Sequence, residues 1–122
     1  MPDYWLDHIH LMSPDPVKTA GFYEKMFGAT LVTARDEGDG KAMAKLDLKG
    51  ITLLISQRTG DDAKLGLDHF GIETDKLEEA VAAMKADGVE FTQDIREVRP
   101  GFSISFLNAP EGVSIELQEG SL

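Results

Sequence analysis

Large apolar residues crowd the segment Trp5 to Met12 in a loose alternation, the mark of a partly buried β-strand. Asp15-Pro16 then supplies a helix cap and a favoured first helical residue. Val17, Ala20, Tyr23 and Phe27 recur at helical spacing until Gly28 stops the run. Residues Ala29 to Asp36, Lys41 to Leu48 and Ile51 to Gln57 read as three strands, separated by the turn signals Glu37-Gly38-Asp39-Gly40 and Lys49-Gly50. Arg58 to Gly66 is polar and reads as a connector. Leu67 to Glu73 is another strand. Asp75 with Glu78 three residues on predicts a capping box, and Leu77, Ala80, Val81 and Met84 give the second helix its apolar stripe before Gly88 ends it. Val89 to Ile95, Phe102 to Leu107 and Val113 to Gln118 complete the strands, with Asn108 to Gly112 as a hairpin loop. Gly120-Ser121-Leu122 reads as a frayed end.

The order strand, helix, strand, strand, strand thus occurs twice, and the residues repeat with it. Leu6-Asp7-His8-Ile9-His10 matches Leu67-Asp68-His69-Phe70-Gly71, Asp15 matches Asp75, and Gly28 matches Gly88. Gly50-Ile51-Thr52-Leu53-Leu54 falls against Gly112-Val113-Ser114-Ile115-Glu116. Two copies of a unit of about 60 residues explain this order. Copies so small are marginal alone, so they are expected to share a core within one domain. That domain spans residues 1–122, with module one at 4–57, a linker at 58–66 and module two at 67–119. The fold class is α+β.

Charge narrows the partners. Twelve basic against 22 acidic side chains leave a formal charge of -10, which argues against nucleic acid or an anionic membrane as partner and leaves a small molecule. An anionic substrate would need local help from a metal or from Arg35, Arg58, Arg96 or Arg99. Cysteine is absent, which excludes a thiol nucleophile, a disulfide framework and thiolate metal ligation. Met1-Pro2-Asp3-Tyr4-Trp5 lacks the basic and apolar blocks of a leader, and no run reaches the roughly 18 apolar residues of a membrane span. A soluble cytoplasmic protein is expected.

All three histidines lie on the two matching strands. Residues two apart on a strand share a face, so His8 and His10 point the same way, and the repeat puts His69 at the His8 position. Glu116 sits between Ile115 and Leu117 on the last strand, an odd setting for a carboxylate. Two imidazoles and one carboxylate suit a divalent ion such as Fe, Mn, Zn, Ni or Co with positions left open. The alternative is a pair of hydrogen-bonded strand histidines and a solvated glutamate.

These residues resemble those of the vicinal oxygen chelate superfamily, which includes glyoxalase I, methylmalonyl-CoA epimerase, extradiol dioxygenases, fosfomycin-resistance enzymes and bleomycin-binding proteins. Leu6-Asp7-His8-Ile9-His10-Leu11 and Leu67-Asp68-His69-Phe70-Gly71-Ile72 look like its two opening strands. Phe22-Tyr23-Glu24-Lys25-Met26-Phe27-Gly28-Ala29 is similar to its first helix end. The stretch Phe106 to Leu117 looks like its closing motif, with Ala109 where Asp is usual. The resemblance implies two βαβββ modules whose mixed sheet curls into a cup around a metal held by His8, His69 and Glu116, commonly in a homodimer. Glyoxalases and epimerases of this family usually carry a fourth ligand, Glu or Gln, on the last strand of the first module. Here that position is Leu54.

His10 shares the His8 face and is suited to general acid or base work, with a packing role as the alternative. Tyr23 and Gln118 are weaker candidates. The functional expectation is a metal-dependent, glyoxalase-like lyase or isomerase acting on a substrate with adjacent oxygens. Alternatives are a small non-haem iron dioxygenase of the extradiol type, and an antibiotic-binding or fosfomycin-type resistance protein. A purely apolar sequestering pocket would have no use for His8, His69 and Glu116.

Overall fold

Ten secondary-structure elements arise where the sequence periodicity places them, and the differences lie at their ends. The computed structural model describes residues 1–121. In chain order these are β1 (Tyr4–Ser13), α1 (Pro16–Phe27), β2 (Thr30–Arg35), β3 (Met43–Leu48), β4 (Ile51–Gln57), β5 (Gly66–Thr74), α2 (Leu77–Ala86), β6 (Phe91–Arg99), β7 (Phe102–Asn108) and β8 (Ser114–Glu119). A 3₁₀ turn over Pro110–Gly112 joins the last two strands. The fold is α+β and consists of two βαβββ modules. Contacts divide the chain into two compact units, residues 8–68 and residues 1–7 with 69–122.

In residues 8–68 the strand order is β2-β3-β4-β1, with β1 parallel to β4 and the other neighbours antiparallel. The parallel pair requires a crossover, and α1 opens it. The Asp15 carboxylate accepts the Lys18 amide N–H at 3.3 Å, and Gly28 closes the helix at φ 71, a left-handed conformation that costs glycine little. Ala20 on the helix meets Ala44, Leu46, Leu53 and Ile55 of the strands, with Tyr23, Ile9 and Leu11 at the margin. The expected stripe of α1 holds only in part. Val17 is half exposed because it lies one residue, about 100°, round from buried Pro16. Phe27 is exposed as well, and its ring meets Phe22 and Tyr23 with centroids 6.0 and 6.3 Å away.

In the other unit the order is β5-β8-β7-β6, with β5 parallel to β8. Leu77, Ala80 and Val81 of α2 pack on Leu107 and Leu117. Here the expected capping box does not form. The helix begins after Lys76, with no side-chain cap at that residue. Asp75 instead accepts the Asp3 amide N–H at 2.9 Å, while Glu119 accepts the Leu77 amide N–H at 2.8 Å. A carboxylate therefore does serve the helix N-terminus, but it comes from 42 residues away in the chain. The Asp3 N–H holds the exposed Asp75 carboxyl below its ordinary range. Trp5 adds a second tie by donating its indole N–H to Glu73 at 2.9 Å.

The C-terminal segment is also anchored, against the expectation of fraying. Gly120 accepts the Gln118 amide and Ser121 accepts the Arg99 guanidinium, at 2.9 and 3.0 Å. A Cβ on Gly120 would stand 2.0 Å from the Gly101 carbonyl oxygen, so only glycine fits this approach. Leu122 lies outside the described residues.

Candidate metal centre

Strand pleating sets the first half of the site. His8 and His10 project from one face of β1, with ring centroids 6.1 Å apart and planes at 67°. His8 is fully buried and His10 half-buried. The parallel register sets His10 beside Leu54 and Met12 beside Ser56. Ser56 then meets His10 directly: its Oγ lies 2.8 Å from Nε2. A hydroxyl can donate or accept there, so the contact orients the ring in either tautomer.

The second unit places its donors closer together. His69 on β5 and Glu116 on β8 are both 6 % exposed, and Nε2 lies 3.4 Å from Oε1. The register explains the contact. Glu116 stands beside Gly71, whose missing side chain leaves its carboxylate unobstructed, and His69 precedes Gly71 by two on the same face. Phe106, opposite Glu116 on β7, presents its ring edge-on to His69 at 5.2 Å between centroids. A buried carboxylate is costly without partners, so a built ion pair or a metal is the physical reason to keep one here.

The donor chemistry fits a divalent cation. Imidazole nitrogen and carboxylate oxygen bind zinc-like ions at about 2.1 Å, so two such atoms 3.4 Å apart can share one ion at an angle near the tetrahedral value. In residues 8–68, Leu54 occupies the strand position that Glu116 has in the other unit. It offers no donor.

Other candidates resolve individually. Tyr23 packs against the core of its unit, and Gln118 is fully buried at its strand end with its amide on the Gly120 carbonyl. Arg58 pairs with Asp68 at 3.1 Å and with the Lys64 carbonyl, and Arg99 caps Ser121 while lying over the Phe102 ring. Arg96 is exposed on β6. Arg35 lines a cavity. Ser56 and Phe106 are not among the site residues the sequence singles out, although alternation from Leu54 along its strand puts Ser56 on the face that the repeat marks.

The model of the Glyoxalase/Bleomycin resistance protein/Dioxygenase superfamily matches residues 5–117. The chain belongs to that superfamily. Its structure resembles a hypothetical protein from Bacillus halodurans C-125, with a TM-score of 0.80 and 20 % identity over 98 % of this chain and 96 % of that one. A Streptomyces coelicolor methylmalonyl-CoA epimerase variant in complex with 2-nitronate-propionyl-CoA matches with a TM-score of 0.70 and 24 % identity, over 96 % and 97 % of the two chains. The epimerase from Mycobacterium tuberculosis matches with a TM-score of 0.71 and 21 % identity, over 96 % and 88 %. At these identities the likeness speaks for the fold. No curated protein matches the sequence. Among the described residues, no helix is long and apolar enough to cross a membrane.

Proposed function

We propose that this superfamily member is a divalent-metal-dependent lyase or isomerase acting on a small molecule with two adjacent oxygens. In this reading His8, His69 and Glu116 hold the ion and His10 moves the proton. The observation that carries it is the buried His69–Glu116 pair at 3.4 Å, which supplies an imidazole and a carboxylate at a spacing one cation accepts. His8, equally buried at the repeat-equivalent strand position, supplies the third donor. A bound divalent ion contributes Lewis-acid stabilisation of the oxyanion that develops on the substrate.

The chain's own residues supply the rest. His10 holds or accepts a proton at Nε2, and Ser56 Oγ, 2.8 Å away, aims that nitrogen. Leu54 beside it replaces a carboxylate that could otherwise bind the ion or take the proton. His10 is thus the titratable group left for proton work on this strand pair.

A second reading has its own support. A site with three protein ligands, lacking a carboxylate at Leu54, also suits a non-haem iron dioxygenase, which needs open positions. Metal content of protein purified without added metal, measured with oxygen uptake on a catechol, separates the two. Nickel, cobalt, zinc or manganese with no oxygen uptake supports the lyase or isomerase. Iron with uptake supports the dioxygenase. Absence of bound metal, with activity unaffected by a chelator, overturns both.

A further inference from the structure

A cavity of about 380 Å³ opens in the unit formed by residues 8–68, and its walls are chemically one-sided. Arg35 and Lys41 bring two cations to it, Leu54 and Met43 give it apolar floor, and Ser56 ties it to His10. No carboxylate lines it among the described residues. This is unexpected in a chain of net charge -10, and the adjoining loop is itself acidic. Asp36 and Asp39 of that loop are engaged locally: Asp36 accepts the Gly38 N–H at 3.2 Å and Asp39 accepts the Lys41 N–H at 3.0 Å. Gln57 is engaged too, with its oxygen on the Ala42 N–H and its amide on the Pro14 carbonyl. The cations are what the cavity has left for a polar ligand.

Strand register places them relative to the chemistry. Arg35 pairs with Met43, Met43 with Ser56, and Ser56 with Met12, in one row across β2, β3, β4 and β1. Lys45, Leu54 and His10 form the next row on the same face. Two strand spacings put the Arg35 backbone about 10 Å from that of Ser56. Arg35 also donates to the Lys41 carbonyl at 3.3 Å, which holds its fork at the rim. A planar, always-charged guanidinium so held is suited to a carboxylate or phosphate oxygen pair.

We propose that this cavity is a specificity subsite for the anionic end of the substrate, a carboxylate or a phosphate, with Arg35 two strands away from the Ser56–His10 pair that faces the reacting end. It rests on the metal-dependent reading above and adds to it a substrate class: small anions that carry a metal-chelating group at the other end. In solution the exposed cations are screened, so selectivity comes from direct contact with two cations that line one cavity rather than from a long-range field.

The test compares two probes on metal-loaded protein by calorimetry. Acetohydroxamate carries only the chelating group, and suberate monohydroxamate adds a carboxylate on a methylene arm long enough to reach toward Arg35. The carboxylate probe is expected to bind about tenfold more tightly or better. Arg35→Gln with Lys41→Gln should abolish that advantage and leave acetohydroxamate affinity unchanged, while Arg35→Lys keeps most of it. Equal binding of both probes to the wild type, or an advantage that survives the double substitution, overturns the subsite. If neither hydroxamate binds and no metal loads, the metal reading has failed, and amide shifts in the full chain titrated with glutarate and with inorganic phosphate still decide the subsite. Saturable shifts at Arg35, Lys41 and Ser56 that vanish in the double variant support it, and the tighter of the two ligands identifies the anion. No shift with either overturns it.

Discussion

The two βαβββ modules share one plan but differ in the side chains it carries. In the second, Gly71 on β5 stands beside Glu116 on β8. In the first, the equivalent pair on β1 and β4 is His10 beside Leu54. The polar side chain has changed strands. Where the carboxylate is kept, its neighbour shrinks to glycine; where the carboxylate is lost, its neighbour becomes an imidazole. Each strand pair carries one ionisable side chain at this level, and the two modules fill that place with different chemistry. In the proposed reading, symmetry supplies the paired histidine ligands and its breach supplies the single proton-handling residue.

The sharpest way to break this comparison is to remove the carboxylate. Glu116→Ala is expected to lower metal affinity by at least about 100-fold, since even the loss of a ligand's outer partner costs 10- to 100-fold. Metal titration of the purified variant checks it. Removing the imidazole should act on turnover instead: His10→Ala is expected to cut kcat by about 10²-fold or more with the metal retained. Loss of the metal in that variant would move His10 among the ligands.

The ends of the modules offer a third contrast. The first leaves β4 through Arg58, which forms an ion pair, whereas the second closes through Gly120 at φ 88 against Gly101. Gly120→Ala is expected to cost about 2 kcal/mol or more, read as a fall in the urea midpoint. A smaller and more informative effect is expected from the double substitution His10→Gly with Leu54→Glu, which copies the second module into the first. It should raise metal affinity by about tenfold while abolishing turnover that depends on His10. Leu54→Glu alone should gain less, because the His10 imidazole beside it can pair with the new carboxylate in the ion's place.

The smallest effect concerns Asp75. Its carboxyl is held below the ordinary range by the Asp3 N–H, so it stabilises the folded state above the ordinary aspartate value, and that contribution is lost as pH falls through the lowered one. Asp75→Asn should flatten this acid limb of a melting-temperature profile slightly, since the group is fully exposed.

Much of the fold was legible because its signals are local. Asp15, Pro16 and Gly28 bound α1 by their own backbone preferences. The turn signal Lys49-Gly50 before it and the polar connector after it marked Ile51 to Gln57 as a strand with the ends that β4 has. The capping box was misread for the same reason: Asp75 and Glu78 have the right spacing, but the Asp3 N–H engages Asp75 and Glu119 reaches the helix from another strand. Spacing cannot reveal a competitor distant in sequence. Val17 and Phe27 were likewise read by periodicity, which ranks helix faces without showing where the opposing sheet ends.

For the candidate site, the sequence by itself determined which residues have metal-binding chemistry and that two of them stand at matching places, because a repeat and a strand's alternation are properties of the chain order. Tertiary structure decided the rest within each unit. It brought His69 to 3.4 Å from Glu116, set Ser56 against His10, bound residues 3 and 5 to residues 75 and 73, and lined a cavity with Arg35 while pairing Arg58 with Asp68 and Arg99 with the Ser121 carbonyl. These outcomes depend on hydrogen-bond register between strands far apart in the chain. Register is fixed by packing one face of each strand against a core, and no short stretch of sequence contains both partners.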